Sequence, residues 1–311
     1  MSRDRGPLDN QPPGNQPPGG RPLAGRPPED RPPAPDRPGD NGPGDNGLGR
    51  ERLGHERYAA EIVAQTALLS GLVAAADPRV GVPSCPGWNL GQLARHLGGG
   101  QRWAAEILRT RATRPPPDRA FRDLSPYADE AAAPLAAWLD EGAAALARAL
   151  VDTDPAEPLW TPVAGGTAGF YARRFAHETL VHRADAVLAV HEPFAAPADL
   201  ARDALDEWME LGALPAMLDF HPHRRALLGP GRTLHLHADD GTPAGADWFV
   251  DLTGALMAHR RGGGPAAVSV RAPLTRLLLT VYGRTPARGH DVTVDGDGAL
   301  LNRWLSTVGF G

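Results

Sequence analysis

The spacing of apolar residues changes once along this chain, and that change restricts the fold more than any other feature. From about residue 51 to about residue 213 the apolar positions recur at helical intervals, and beyond that they alternate. ERYAAEIVAQTALLSGLVAAAD sets Tyr58, Ile62, Leu69, Leu72 and Val73 on helical spacings. A turn-rich connection, DPRVGVPSCPGW, follows, and Asn89 is placed to cap a second helix, NLGQLARHLGGGQRWAAEILRTR. Three consecutive glycines, Gly98 to Gly100, interrupt that helix. Each weakens a helix by about 1 kcal/mol relative to alanine, so packing or ligand clearance must require them. An alanine- and leucine-rich helix is expected near 126–150, a fourth near 170–190 after a GGTAG loop, and another near 197–213. RTLHLHADD, DWFVDLTG, AAVSVRA and VTVDGD then read as strands, and PLTRLLLTVYGR and GALLNRWLSTV as helices. Leu234 and Leu236 fall on one side of the first strand, His235 and His237 on the other. The expectation is an α+β protein, with a four-helix bundle over 51–193 and a small α+β domain over 194–311.

Residues 1–50 stand apart. They contain 13 Pro and 10 Gly, and no aromatic residue. QPPGNQPPGG and RPGDNGPGDNG are near-repeats. Such a segment cannot bury enough apolar surface to offset its ordering entropy, and it reads as a disordered tail acting as a tether. An adaptor working through this tail would rest on proline content alone.

Charge and cysteine content exclude several function classes. The formal net charge is -5, and the 32 Lys+Arg are spread along the chain, so neither nucleic acid nor an anionic membrane is indicated. Cys85 is the single cysteine, so an internal disulfide is impossible. MSRDRGPLDN lacks the apolar run of a signal peptide. No stretch reads as the roughly 20 apolar residues of a membrane span. A soluble, cytoplasmic protein is expected.

Glu178 and His182 carry the clearest chemistry. Four residues apart in FAHETLVHRADAV, they share one helix face and can grip a metal from one side. His96, on another helix, can supply a third ligand across the bundle. Two histidines and a carboxylate suit zinc or another first-row divalent metal, and three protein ligands leave a position open. HETLVH is not the HExxH of zinc peptidases. His177 and His182 are five apart, roughly 140° around a helix, so His177 is expected on the surface or supporting the ligands. A solvated Glu–His pair is the alternative reading of 178 and 182. Trp88 and Trp103 read as core residues, and Cys85 as a packed cysteine in a turn. Asp185 is either a support for His182 or a solvated partner of Arg183. His221, His223, His235 and His237 form a second histidine group that could hold a second metal, with no carboxylate or cysteine fixed beside them by spacing.

VPSCPGWNLGQLARHLGGGQRWAAEIL and YARRFAHETLVHRADAVLA resemble the mycothiol-dependent maleylpyruvate isomerase family. The matching features are Cys85-Pro86-Gly87-Trp88, then His96, then Glu178 and His182 followed by Arg183 and Asp185. LLLTVYGR and GALLNRWL resemble the family's second domain. The resemblance spans about 51–311. It implies a DinB-like metal-binding bundle, with His96, Glu178 and His182 as ligands of a metal, usually zinc. It also implies mycothiol as the thiol and an arginine from the second domain, for which Arg284 is the match.

The implied function is a metal- and thiol-dependent isomerase or S-transferase acting on a small electrophilic, carboxylate-bearing substrate. The metal would lower the pKa of the thiol so that it reacts as a thiolate. In an isomerase the thiolate adds to a cis double bond and leaves after rotation; in a transferase it stays on the product. Arg284 would orient a substrate carboxylate. The competing reading is a metal-binding or ligand-sensing protein without turnover, since a fold does not fix a function.

Overall fold

The computed structural model describes residues 52–241 and 246–308. The proline- and glycine-rich tail lies outside the described residues. Four long helices open the described chain: α1 (His55–Ala75), α2 (Leu90–Thr110), α3 (Ala132–Val151) and α4 (Ala168–Ala189). α1 and α2 each pack on both α3 and α4, which makes a four-helix bundle with α1 and α2 on one diagonal. Asn89 caps α2 as its sequence predicts. Its side chain accepts from the Gln92 backbone N–H at 2.8 Å, and Gln92 Oε1 accepts from the Asn89 N–H at 3.0 Å. α3 starts later than its composition suggests, because residues 121–131 form an irregular loop over α2.

α1 also corrects one sequence expectation. By length and composition it is the one helix among the described residues long and apolar enough to cross a membrane. Ile62, Leu69 and Val73 are nevertheless fully buried in the bundle core, which accounts for their apolarity.

The three glycines of α2 are there for close packing. A Cβ on Gly98 would enter the Trp138 ring, one on Gly99 would strike the Phe121 carbonyl, and one on Gly100 would lie 2.7 Å from Arg122 Nη2. Alanine normally favours a helix by about 1 kcal/mol over glycine, whereas overpacking costs about 1–3 kcal/mol. Gly98→Ala is therefore expected to destabilise the protein by up to about 2 kcal/mol in urea unfolding. A gain in stability would mean that Trp138 swings aside without cost.

The rest of the described chain contains α5 (Ala198–Gly212), α6 (Ala216–Phe220), α7 (Leu274–Val281), α8 (Gly298–Val308) and a five-stranded sheet. The strands are β1 (Thr233–Ala238), β2 (Asp247–Asp251), β3 (Ala258–Arg261), β4 (Val268–Ala272) and β5 (Thr293–Gly296). Their order is β3-β2-β1-β4-β5, with β1 and β4 parallel and the other neighbours antiparallel. β3 escaped the sequence reading because AHRR has no apolar alternation; it is a polar edge strand. One sheet face carries Leu234, Leu236, Trp248, Val250, Val268 and Val270 into the core. There they join Trp208 of α5 and Trp304 of α8, and one apolar core runs from the bundle into the sheet.

A buried ionic network fastens α4 to α5. Arg173 Nη2 donates to Asp203 at 2.8 Å, and Tyr58 from α1 donates to the same carboxylate at 2.6 Å. His177 is fully buried, with Nδ1 2.8 Å from Glu207. Its Nε2 stands 3.0 Å from Asp203, close enough for charge pairing but out of line for a hydrogen bond. This overturns the expected surface position of His177. The helix turn does point it away from His182, but that side of α4 is covered by α5. Burial alone would lower the His177 pKa; Glu207 and Asp203 outweigh it and raise the value. Burial opposes ionisation of Asp203 and Glu207 as well, yet His177 and the neighbouring arginines hold both below their ordinary values.

The signs fix a stability profile. Carboxylates with lowered pKa stabilise the fold above their unfolded values, about 4, and that contribution is lost as pH falls further. His177, with a raised pKa, contributes fully below its ordinary value of 6.5 and loses that contribution as pH climbs through the raised one. Urea midpoints are expected to fall on both sides of a maximum near pH 5–6.5. His177→Gln should flatten the alkaline limb, and an unchanged alkaline limb in that variant would remove His177 from the explanation.

Candidate metal centre

α2 and α4 face each other in the bundle, and their mid-portions bring His96 and His182 together. The two imidazole centroids are 5.0 Å apart in an edge-to-face arrangement. Trp88, from the turn before α2, lies against His96 at 4.9 Å. One turn back along α4, Glu178 Oε2 stands 3.3 Å from His182 Nε2. Two ligands on a tetrahedral zinc with bonds near 2.1 Å are about 3.4 Å apart, so this pair has the separation a shared metal needs. His96 Nδ1 is buried with no hydrogen-bond partner among the described residues, while the donor atoms of His96, Glu178 and His182 do not all come within 4.8 Å of one another. The donor chemistry and this orphaned nitrogen both fit a divalent metal.

Charges around the pair are held by other side chains. Arg174 donates to Glu178 Oε1 at 2.8 Å and also reaches Glu207, so it ties the cluster to the α4–α5 network. Asp185 Oδ2 lies 2.9 Å from His182 Nδ1. With its Nδ1–H on Asp185, a neutral His182 would present its Nε2 lone pair on the Glu178 side, where a metal between them could take both donors. The structure thus gives Asp185 the supporting role rather than a pairing with Arg183, whose guanidinium reaches the Ala195 carbonyl and the Phe194 ring.

Arg284 reaches this cluster from the C-terminal half. Its Nε donates to Asp185 Oδ1 at 2.9 Å and its Nη2 to Oδ2 at 3.1 Å, while Nη1 donates to the Tyr282 carbonyl at 2.7 Å. The guanidinium therefore lies on the protein's own buried carboxylate, with 5% of the side chain exposed.

The pKa directions follow from these contacts. Burial, and then the neighbouring His182, lower His96 to about 3, so its ring is neutral at physiological pH, as a ligand must be. Burial disfavours the charged form of His182, but Asp185 and Glu178 outweigh it and raise its pKa. Glu178 is held well below the carboxylate range against its burial, chiefly by Arg174 and His182. Cys85 sits beside the cluster with Sγ 3.6 Å from Asp185 Oδ2. Burial, reinforced by that carboxylate, pushes its thiol up to about 12. It is thus a protonated, packed cysteine, as its turn motif suggests. With one donor atom per residue, Cys85, His182 and Asp185 converge within 4.8 Å. Sequence spacing does not reveal that grouping, because Cys85 arrives from 100 residues away.

Glu178 keeps 34% of its side chain exposed, so the cluster touches solvent on that side. Arg122 lies on this side, its Nε donating to the His96 carbonyl at 3.2 Å. The sequence reading had no signal for it, since the loop that carries it has no regular period.

Comparison with known proteins agrees with this architecture. No curated protein matches the chain at a significant level. Among solved structures, the crystal structure of the mycothiol-dependent maleylpyruvate isomerase superposes with a TM-score of 0.52 at 15% identity, covering 78% of this chain and 93% of that one. A histidine-to-alanine mutant of that isomerase gives a TM-score of 0.50 at 15% identity, with the same coverage. At this identity the likeness establishes the fold. The family model described as the mycothiol maleylpyruvate isomerase N-terminal domain matches residues 58–187, and the MDMPI C-terminal domain model matches residues 199–303. Matched over most of its length by both domain models in order, the chain belongs to the mycothiol maleylpyruvate isomerase family.

Proposed function

We propose that this protein is a cytoplasmic, metal- and mycothiol-dependent isomerase acting on a small electrophilic substrate that bears a carboxylate. The observation that carries this reading is the meeting of His182 and Glu178 with His96 inside a chain matched by both domain models of the family. His96, Glu178 and His182 are the proposed ligands, and zinc is the proposed metal. A metal held there supplies the Lewis acidity that keeps a small thiol ionised at neutral pH.

The chain's own residues do the rest. Asp185 holds the Nδ1 proton of His182 and so keeps Nε2 directed at the ligand position. Arg284 keeps Asp185 ionised and in place, and acts on the reacting centre as a positioning residue. Arg174 fixes the Glu178 carboxylate by its other oxygen. Cys85, protonated and packed, leaves the nucleophile's role to a thiol from solution, which is what a mycothiol-dependent reaction requires. The exposed flank of Glu178 gives that thiol its path.

The test is turnover. Zinc-loaded protein with mycothiol is expected to convert a cis-enoyl keto acid such as maleylpyruvate to its trans isomer, followed by ultraviolet absorbance. Omission of either the metal or the thiol should stop the reaction. Consumption of thiol in step with substrate would instead identify an S-transferase. Zinc binding with no turnover of any such electrophile would favour a non-catalytic ligand sensor on the same scaffold.

A further inference from the structure

The sheet has a second face, away from the bundle, and its polar residues are not scattered. On β1, His235 and His237 are two apart and share that face. β1 and β2 pair antiparallel with His237 directly opposite Asp247. Asp247 Oδ1 lies 2.8 Å from His235 Nε2 and 2.8 Å from His237 Nδ1, so one carboxylate oxygen sits between two imidazoles. The three donor atoms all lie within 4.8 Å of one another. Spacing alone gave these histidines no carboxylate partner; the hairpin brings one from ten residues beyond His237.

We propose that His235, His237 and Asp247 form a second divalent-metal site, specific for zinc or a neighbouring first-row cation. The donor set of two imidazoles and one carboxylate is the one that borderline cations prefer, with a fourth position left to water. Donors on a shared metal with bonds near 2.1 Å are about 3.0–3.4 Å apart. Each nitrogen already stands within a few tenths of an ångström of that separation from the carboxylate oxygen. The framework is stiff, since β1 is an interior strand paired on both sides by β2 and β4.

The glycine run after β3 supports the same conclusion. A Cβ on Gly263 would lie 2.8 Å from both Cε1 and Nε2 of the His235 ring. The run thus lets the backbone close over that imidazole where any side chain would collide with it. Arg260 does not compete for the carboxylate, because its guanidinium stacks on Phe249 at 4.4 Å and donates to the Gly262 and Gly263 carbonyls. Arg271, opposite His237 on β4, is the opposing charge, but it is exposed to solvent.

The site is separate from the bundle cluster, and the test reads the difference between variants. Full-length wild-type, His237→Ala and Asp247→Asn proteins are titrated with zinc against a chromophoric chelator, beside His182→Ala. Each sheet variant is expected to bind about one equivalent less than wild type, and His182→Ala to lose a different equivalent, so that either site can fail without the other. Circular dichroism checks that the variants fold. Independently, zinc added to wild type should shift the ring nitrogen resonances of His235 and His237. Equal stoichiometry and affinity in wild type and the sheet variants, or unshifted ring resonances, would overturn the proposal.

Discussion

Replacing His182 with alanine is expected to remove about one equivalent of metal and to lower kcat/KM for thiol-dependent turnover by about a thousandfold or more. Three protein donors around a metal leave no redundancy. Loss of one leaves Glu178 and His96 on different helices, too few to hold a divalent cation against water. The fold is expected to survive the loss of this one buried ring. Asp185 loses its Nδ1 partner but keeps two hydrogen bonds from Arg284. The measurements are elemental analysis and steady-state kinetics on the same preparation, with the urea midpoint as a control. Full metal content and full activity in His182→Ala would sink both the ligand assignment and the proposed chemistry. Lost metal with retained activity would separate the two.

The match between Glu178 and His182 was legible because a helix fixes the relation of residues four apart, whatever surrounds it. The two-residue period of a strand likewise separated Leu234 and Leu236 from His235 and His237. Relations across the chain were not legible. Asp247 faces His237 through a hairpin register, Cys85 meets Asp185 across 100 residues, and Arg284 meets it across 99. Local spacing contains none of these distances. His177 shows a subtler limit. Its helical angle from His182 is correct in the sequence, yet an angle says nothing about which sides of a helix are covered. α4 is packed on several sides at once, so most of its residues are buried and no polar face remains to be read. The glycines of α2 fall between these cases. Three in a row announce a close approach, but only the structure identifies Trp138, the Phe121 carbonyl and Arg122 as what approaches.

Arg284→Leu should have the largest effect on stability of any single change at the cluster, lowering the unfolding free energy by about 3 kcal/mol. Asp185 is fully buried and ionised, and Arg284 is its only guanidinium partner among the hydrogen bonds described. Burial works against the charged carboxylate, and His182 and Arg284 together hold its pKa below the ordinary value. With the guanidinium gone, a buried anion retains one imidazole and the weak thiol donor of Cys85. The protein must then protonate Asp185, admit water, or keep His182 charged. A charged His182 cannot ligate, so metal affinity should fall about 10- to 100-fold as well. The double variant Asp185→Asn/Arg284→Leu separates the two effects. It carries no buried unpaired charge and is expected to regain most of the lost stability. It still lacks the carboxylate that fixes the His182 tautomer, so it should not regain the metal affinity. A double variant as unstable as Arg284→Leu would mean that Arg284 contributes through packing alone. Wild-type metal affinity in Arg284→Leu would break the proposed chain from Arg284 through Asp185 to His182.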